Sequence, residues 1–446
     1  MMQQIFTDAT HLQGLREVFD APAVPGAITL TPEGNALRDF RGFGVALTGS
    51  SCYCLSQMDP TERRTLLERI YTDAGLGLSV ARLTVGSSDY SAELYSYDDT
   101  PFDTELKDFS IERDEAYVIP MIKEVLEVKP DLFLFASPWS PPGWMKTGGS
   151  LCGGYMREEF VPCYVEYLIK YLRAYRERGI VISALTIQNE PETAQSGRMP
   201  ACIWHPETQA RMLKLLRRRL DEERLEVELW AYDHNFSGAR ELLWLLENTP
   251  GLVESLHGVA FHYYRGAIEE TLILRDRYPQ LQMHFTEGGP RLMDHYATDH
   301  CKWAMMISRA LAAGYRSFTG WNLLLDETGG PNIGPFLCGG LLTRDQRSGA
   351  LSESGQYRAF AHVAPYLLPG SQVRRLASSE AWEGAMFRYP EYSPRVEGFL
   401  IEREGAPKVA VLINACDEKR QVNLRLGEQS VYVELPPDSV STVILN

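Results

Sequence analysis

Eight short apolar runs recur along the chain, each ending in polar or glycine residues and followed by an amphipathic stretch. They occupy 42–49, 78–86, 131–138, 184–190, 227–235, 258–264, 282–289 and 317–326. Most are nearly continuous in apolar character rather than alternating. That pattern predicts parallel strands covered on both faces. Helical periodicity fills the gaps, over 60–75, 115–130, 157–179, 206–223, 239–249, 268–278, 294–314 and 353–367. The first helix has Asp59 as N-cap, Pro60 at its first position and Gly75 at its end. Strands alternating with helices predict a (β/α)₈ TIM barrel over 36–368. A doubly wound open sheet is the competing arrangement, but no glycine-rich phosphate loop follows an early strand.

The pattern changes after 371. AMFRYP, VEGFLIERE, KVAVLINA, RQVNLRL, SVYVEL and TVILN read as short strands separated by turns, with no helix between them. A small antiparallel β-sandwich domain is expected over 371–446. The segment 1–35 holds one strand-like run, AITLTPEG, expected to join the same sheet.

The 446 residues leave room for both parts, and 44% hydrophobic with 23% charged residues suits a folded globular chain. A formal net charge of −15 opposes nucleic acid and anionic membranes as partners. A neutral ligand such as a sugar suits that field better. No run of 18 apolar residues exists, so no transmembrane segment is expected. The first residues show neither a basic nor an apolar leader region, which predicts a cytoplasmic location. Eight scattered cysteines, with only Cys52 and Cys54 in a C-x-C, are read as reduced thiols.

Barrel enzymes carry their chemistry where strands end. The fourth run ends in Gln188, Asn189, Glu190 and Pro191, and the seventh in Thr286, Glu287, Gly288 and Gly289. A carboxylate at a barrel mouth costs desolvation unless it is paired or used. The bland reading makes Glu190 and Glu287 strand-end salt-bridge partners. The chemical reading makes them the acid and nucleophile of glycoside hydrolysis, which needs two carboxyl groups about one anomeric carbon. Their separation sets retention or inversion of configuration.

At this point LTIQNEPE, HFTEGG, FASPWSPPGWMKTGG, RLTVGSSDYS, WNLLLDETGGPN and GFGVALTG, in that register, resemble glycoside hydrolase family 30, the glucosylceramidase-like enzymes. The resemblance spans most of the chain. It implies Glu190 as acid/base and Glu287 as nucleophile. It implies that Asp89 and Trp139 hold the terminal sugar, Asn189 touches its 2-hydroxyl, and Tyr264 donates to Glu287. Trp321 would floor the pocket, with His262 and Asn322 beside the substrate. The family often has H-W-Y where this chain has His262, Tyr263 and Tyr264, so a departure in the pocket wall is expected at this point.

Other residues receive plainer readings. Arg82 is expected as a buried partner of a mouth carboxylate, and Asp233 to Asn235 either line the site or brace neighbouring strands. His257, His262 and His284 lack metal-ligand spacing, so neither metal nor cofactor is expected. Cys152, Cys202 and Cys338 are expected in loops near the mouth. The substrate expectation is a terminal β-glucosyl group on a small β-glycoside or short oligosaccharide. β-Xylosides, β-fucosides and β-1,6-glucans stand as alternatives. A non-catalytic sugar-binding protein and a metal-dependent hydrolase are readings of other classes. Glu190 is expected to rest protonated, through apolar surroundings and the negative charge of Glu287.

Overall fold

The computed structural model describes residues 2–18, 22–380 and 395–445. AMFRYP, at 385–390, lies outside them. Eight parallel strands close into a barrel: Gly42–Leu47, Val80–Val85, Phe133–Pro138, Ala184–Leu185, Glu228–Asn235, Gly258–His262, Gln282–Glu287 and Tyr315–Gly320. The helix after each strand packs outside. Pro60–Tyr71 begins as expected, with the Asp59 carboxylate accepting from the Thr61 and Glu62 amides. An extra helix, Gly49–Ser56, precedes it, capped by Thr48. Among the described residues no helix is long and apolar enough to cross a membrane.

Two strands depart from the expected limits, and both departures shape the barrel mouth. The fourth strand stops at Leu185, so Gln188 to Glu190 lie beyond regular pairing. Their path is instead held by the Thr186 amide on Ala136 O, the Asn189 amide on Pro138 O and the Glu190 amide on Asp233 O, at 3.1, 2.7 and 3.0 Å. The expected eighth run splits. Tyr315–Gly320 stays in the barrel, while Leu324–Asp326 leaves it to pair with Leu342–Arg344 in a separate three-stranded sheet.

The remaining strands form one nine-stranded sheet, antiparallel apart from one pair. In it, Ile28–Leu37 lies between Gln372–Ser378 and Arg420–Leu426, running parallel to the latter. Met2–Thr7 lies between Gly14–Val18 and Ser439–Leu445. Three strands therefore come from the first 37 positions, where the sequence pattern suggested one. Met2–Thr7 and Gly14–Val18 are short and polar on one side, which masks their periodicity. The sheet keeps its own apolar core around Leu30, Leu412, Val422 and Val443. Its Phe399, Val411 and Ile413 join the barrel's outer core.

Candidate active site

The barrel interior changes chemistry along its axis. Near the strand starts it is apolar, with Val80, Phe135, Ala184, Trp230 and Ala260 packed together. Near the strand ends it holds a fully buried charge network centred on Asp233. Strand five bulges there: pairing with strand six slips between Tyr232 and His234, and Asp233 adopts φ 63°. A left-handed non-glycine residue is uncommon and needs surrounding support. Here the support is five hydrogen bonds. Asp233 accepts from Arg82 at 2.8 Å, Ser137 at 2.7 Å, Thr186 at 2.8 Å, Thr286 at 2.7 Å and His262 at 3.1 Å. Burial pushes its pKa up, but the Arg82 charge and the His262 bond outweigh burial and hold the carboxyl far below its usual range.

Arg82, wholly buried on strand two, donates to Asp233, to Asn189 Oδ1 at 2.9 Å and to Glu287. Its guanidinium also lies over Trp139, 4.8 Å from the ring centroid. The expected partnership with a mouth carboxylate is present at Glu287, beside a second ion pair with the deeper Asp233. Glu287, ending strand seven, accepts a second bond from the Tyr264 hydroxyl at 2.9 Å. Glu190 adopts φ 52° and accepts from His262 Nδ1 at 3.2 Å and from the Gln195 side-chain amide.

One carboxylate oxygen each of Glu190 and Glu287 and one ring nitrogen of His262 lie within 4.8 Å of one another. These atoms come from the ends of strands four, six and seven, so the spacing of histidines along the chain could not reveal the cluster. His262 gives both ring nitrogens to carboxylates. Burial lowers its pKa, but Glu287, Asp233 and Glu190 raise it to about 9. A protonated ring donates rather than ligates. Among the described residues one other trio, His300, Cys301 and Asp438, brings ligand atoms within 4.8 Å. None of its members lines the cavity described next.

Glu190 and Glu287 open onto a cavity of about 930 Å³. Asp89, Trp139, Asn189, Tyr264 and Trp321 line it with them. Trp139 and Trp321 stack at 5.1 Å between centroids. Residues 335–338 also line it, in a segment pinned by the Ile333 amide on Asp89 O at 2.8 Å and the Tyr90 hydroxyl on Phe336 O at 3.0 Å. Asp89 is buried and its Oδ1 has no hydrogen-bond partner among the described residues. Burial and then the charges of Glu287 and Glu190 raise its pKa well above the usual value. It is thus fitted to meet a hydroxyl-bearing ligand.

Two expected binding residues do not line the cavity. His262 sits behind Glu190 and Glu287. Asn322 is buried beneath, with its Oδ1 accepting from Thr48 at 2.7 Å. The two readings of Asp233 to Asn235 divide between residues: Asp233 braces strands, while His234 and Asn235 line the cavity. Of the three cysteines expected near the mouth, only Cys338 lines it. Burial pushes its thiol up to about 12, as it does for Cys202.

The expectation that Glu190 rests protonated requires correction. Burial does raise its pKa, but the His262 hydrogen bond and the charges of His234, His262 and Arg82 outweigh it and leave it below the ordinary value. Two imidazoles and a guanidinium converge here from strands five, six and two.

Glu192, Gln195, Arg265, Arg291 and Met293 also line the cavity and were absent from the sequence reading. They belong to loops without periodicity. Only their position just after a strand-end motif could have signalled them.

The chain is similar to known proteins. Endo-1,6-beta-D-glucanase of Neurospora crassa is 27% identical over 79% of this chain and 74% of its own. Putative glucosylceramidase 3 of Caenorhabditis elegans is 29% identical over 94% of this chain and 82% of its own. The crystal structure of SrfJ from Salmonella typhimurium superposes with a TM-score of 0.88 and 26% identity, covering 100% of this chain and 99% of that one. Residues 40–337 match the family model described as the Glycosyl hydrolase family 30 TIM-barrel domain, and the chain belongs to that family.

Proposed function

We propose that this glycoside hydrolase removes a terminal β-D-glucosyl residue with retention of configuration. One observation carries the mechanism: Glu190 and Glu287 approach within 4.8 Å. Retaining enzymes hold their carboxyl groups about 5–5.5 Å apart, and inverting ones about 6.5–9.5 Å, to admit a water. In the first step Glu287 attacks the anomeric carbon and the glycosidic C–O bond breaks. The proton of Glu190 goes to the departing oxygen, leaving a glycosyl ester. In the second step Glu190 takes a proton from water, the water oxygen attacks the anomeric carbon, and Glu287 leaves.

Arg82 and Tyr264 both donate to the Glu287 carboxylate and hold it in place for attack. His262, protonated and 3.2 Å from Glu190 Oε1, steadies the ionised carboxylate that the second step needs as its base. Asp89 and Trp139 would hold the sugar hydroxyls, Asn189 its 2-hydroxyl, and Trp321 its apolar face.

A panel of aryl β-glycosides is the test, with the β-glucoside expected as the best substrate. Glu287→Gln should lose on the order of 10⁵-fold in kcat. Glu190→Gln should be nearly inert on ordinary glycosides and far more active on those with very acidic phenols. A 2-deoxy-2-fluoro glucoside should label Glu287, and labelling of another residue would refute the assignment. A second reading, hydrolysis of β-1,6-glucan, is favoured by the names of relatives from Neurospora crassa, Aspergillus fumigatus and Trichoderma harzianum. Products decide between them: glucose alone from β-1,6-linked oligosaccharides supports terminal removal, and mixed oligosaccharides support internal cleavage.

A further inference from the structure

The loop after Glu190 makes a contact that the two-carboxylate mechanism does not use. Gln195 lies in a short turn, Gln195–Gly197, in which Gln195, Ser196 and Gly197 have φ of 47°, 54° and 67°. Its amide nitrogen is tied to Thr193 Oγ1 at 3.1 Å, and the Gly197 amide to Ala194 O at 2.8 Å. Held in this way, the Gln195 side chain lines the cavity and donates its amide to Glu190 Oε2. The other oxygen, Oε1, is engaged by the wholly buried His262 at 3.2 Å. His262 thus holds Oε1, and Gln195 holds Oε2 from the loop.

We infer that Gln195 is a positioning residue for Glu190, occupying the site on Oε2 that the departing glycosidic oxygen must take and yielding it when the aglycone enters. The inference rests on the reading of Glu190 as acid/base. An amide N–H stabilises the ionised carboxylate and opposes its protonation. The contact therefore suits the second step, where Glu190 must be a base, and resists the first until the leaving group displaces it. Selectivity follows: an aglycone that reaches 195–197 and displaces the amide releases the acid, whereas one too small to do so leaves Glu190 held. The other charged groups about Glu190 are His262 and Arg82, His234 and Asp233 from strand five, Glu287, Asp89 and Glu192. These set its baseline, and Gln195 is the neutral donor added from the loop.

The test is the pH profile of kcat/KM on phenyl β-D-glucoside, whose phenol leaves poorly and needs the acid. Gln195→Ala should move the basic limb upward by about one pH unit. Gln195→Glu, which replaces a donor by a negative charge, should move it further. Thermal unfolding of both variants reads any loss of structure separately, since a merely structural residue would lower Tm without moving the limb. Glu190→Gln in the same series should abolish the limb. If it does so while both Gln195 variants keep the wild-type limb, the proposed role of Gln195 is overturned and the acid/base reading stands. If Glu190→Gln keeps the limb, that reading fails and takes the role of Gln195 with it.

Discussion

Two histidines inside one barrel have opposite fates. His262, at the end of strand six, and His284, early in strand seven, are both wholly buried. His284 stacks on Trp230, 3.7 Å between centroids and 11° from parallel, with Nδ1 2.9 Å from Ser317 Oγ. Burial, with Arg41 and Arg316 nearby, drives its pKa well below the ordinary value, so it stays neutral. His262 has the same burial but bridges Asp233 and Glu190, and it stays protonated to about pH 9. Burial penalises charge equally in both places; the carboxylates decide. The strand-start half of the barrel is thus built for stability, and the strand-end half stores charge for chemistry.

The sharpest way to break this contrast is Arg82→Met. It leaves Asp233 and Glu287 buried without their guanidinium. Breaking such a pair costs about 3–5 kcal/mol. Denaturant unfolding should show that loss, together with a fall in kcat/KM of at least about 10³-fold. If the variant keeps wild-type stability, the strand-end layer is not held by charge pairing.

His262→Asn should cost less, on the order of 10²-fold in activity. It also tests the protonation state. The pKa of His262 is about 9 in the folded protein against 6.5 unfolded. A raised pKa contributes stability that is complete below pH 6.5 and lost as pH rises through 9, roughly 3 kcal/mol in all. Wild-type Tm should therefore fall across pH 7 to 9 more steeply than that of His262→Asn. Equal slopes would mean a neutral imidazole.

His284→Phe is the mildest change. Because the His284 pKa is lowered, its linkage has the opposite sense. The unfolded state binds the extra proton, so stability is present above pH 6.5 and erodes as pH falls, by about 1.4 kcal/mol per unit. Replacing it by Phe should flatten the acid side of a Tm-against-pH curve by one proton. An unchanged acid slope would show that His284 is already charged.

The fold was legible because parallel strands covered on both faces leave uninterrupted apolar runs, and eight of them survive in the chain. Glu190 and Glu287 stood out because a carboxylate directly after such a run has no cheap structural reason to be there. The rest was hidden for physical causes. Strand four pairs over only Ala184 and Leu185, so its seven-residue apolar run overstated the strand. The protonation of Glu190 depends on His234 and His262, which are more than 40 positions away in sequence and meet only through barrel closure. Gln195 sits in a turn that no periodicity marks. Asn322 was tied to the substrate by resemblance alone; it lies behind the cavity lining, with its Oδ1 accepting from Thr48 on the first βα loop.

The small sheet carries a consequence for biosynthesis. Gln4 donates to Ser441, 437 positions later, and the strand holding Gln4 pairs with the final one, Ser439–Leu445. At about 5–20 residues per second, the opening strand waits on the order of a minute for this mate to emerge from the ribosome. The barrel therefore has time to form before that mate appears, and the newborn chain must meanwhile shield an unpaired strand edge from its neighbours.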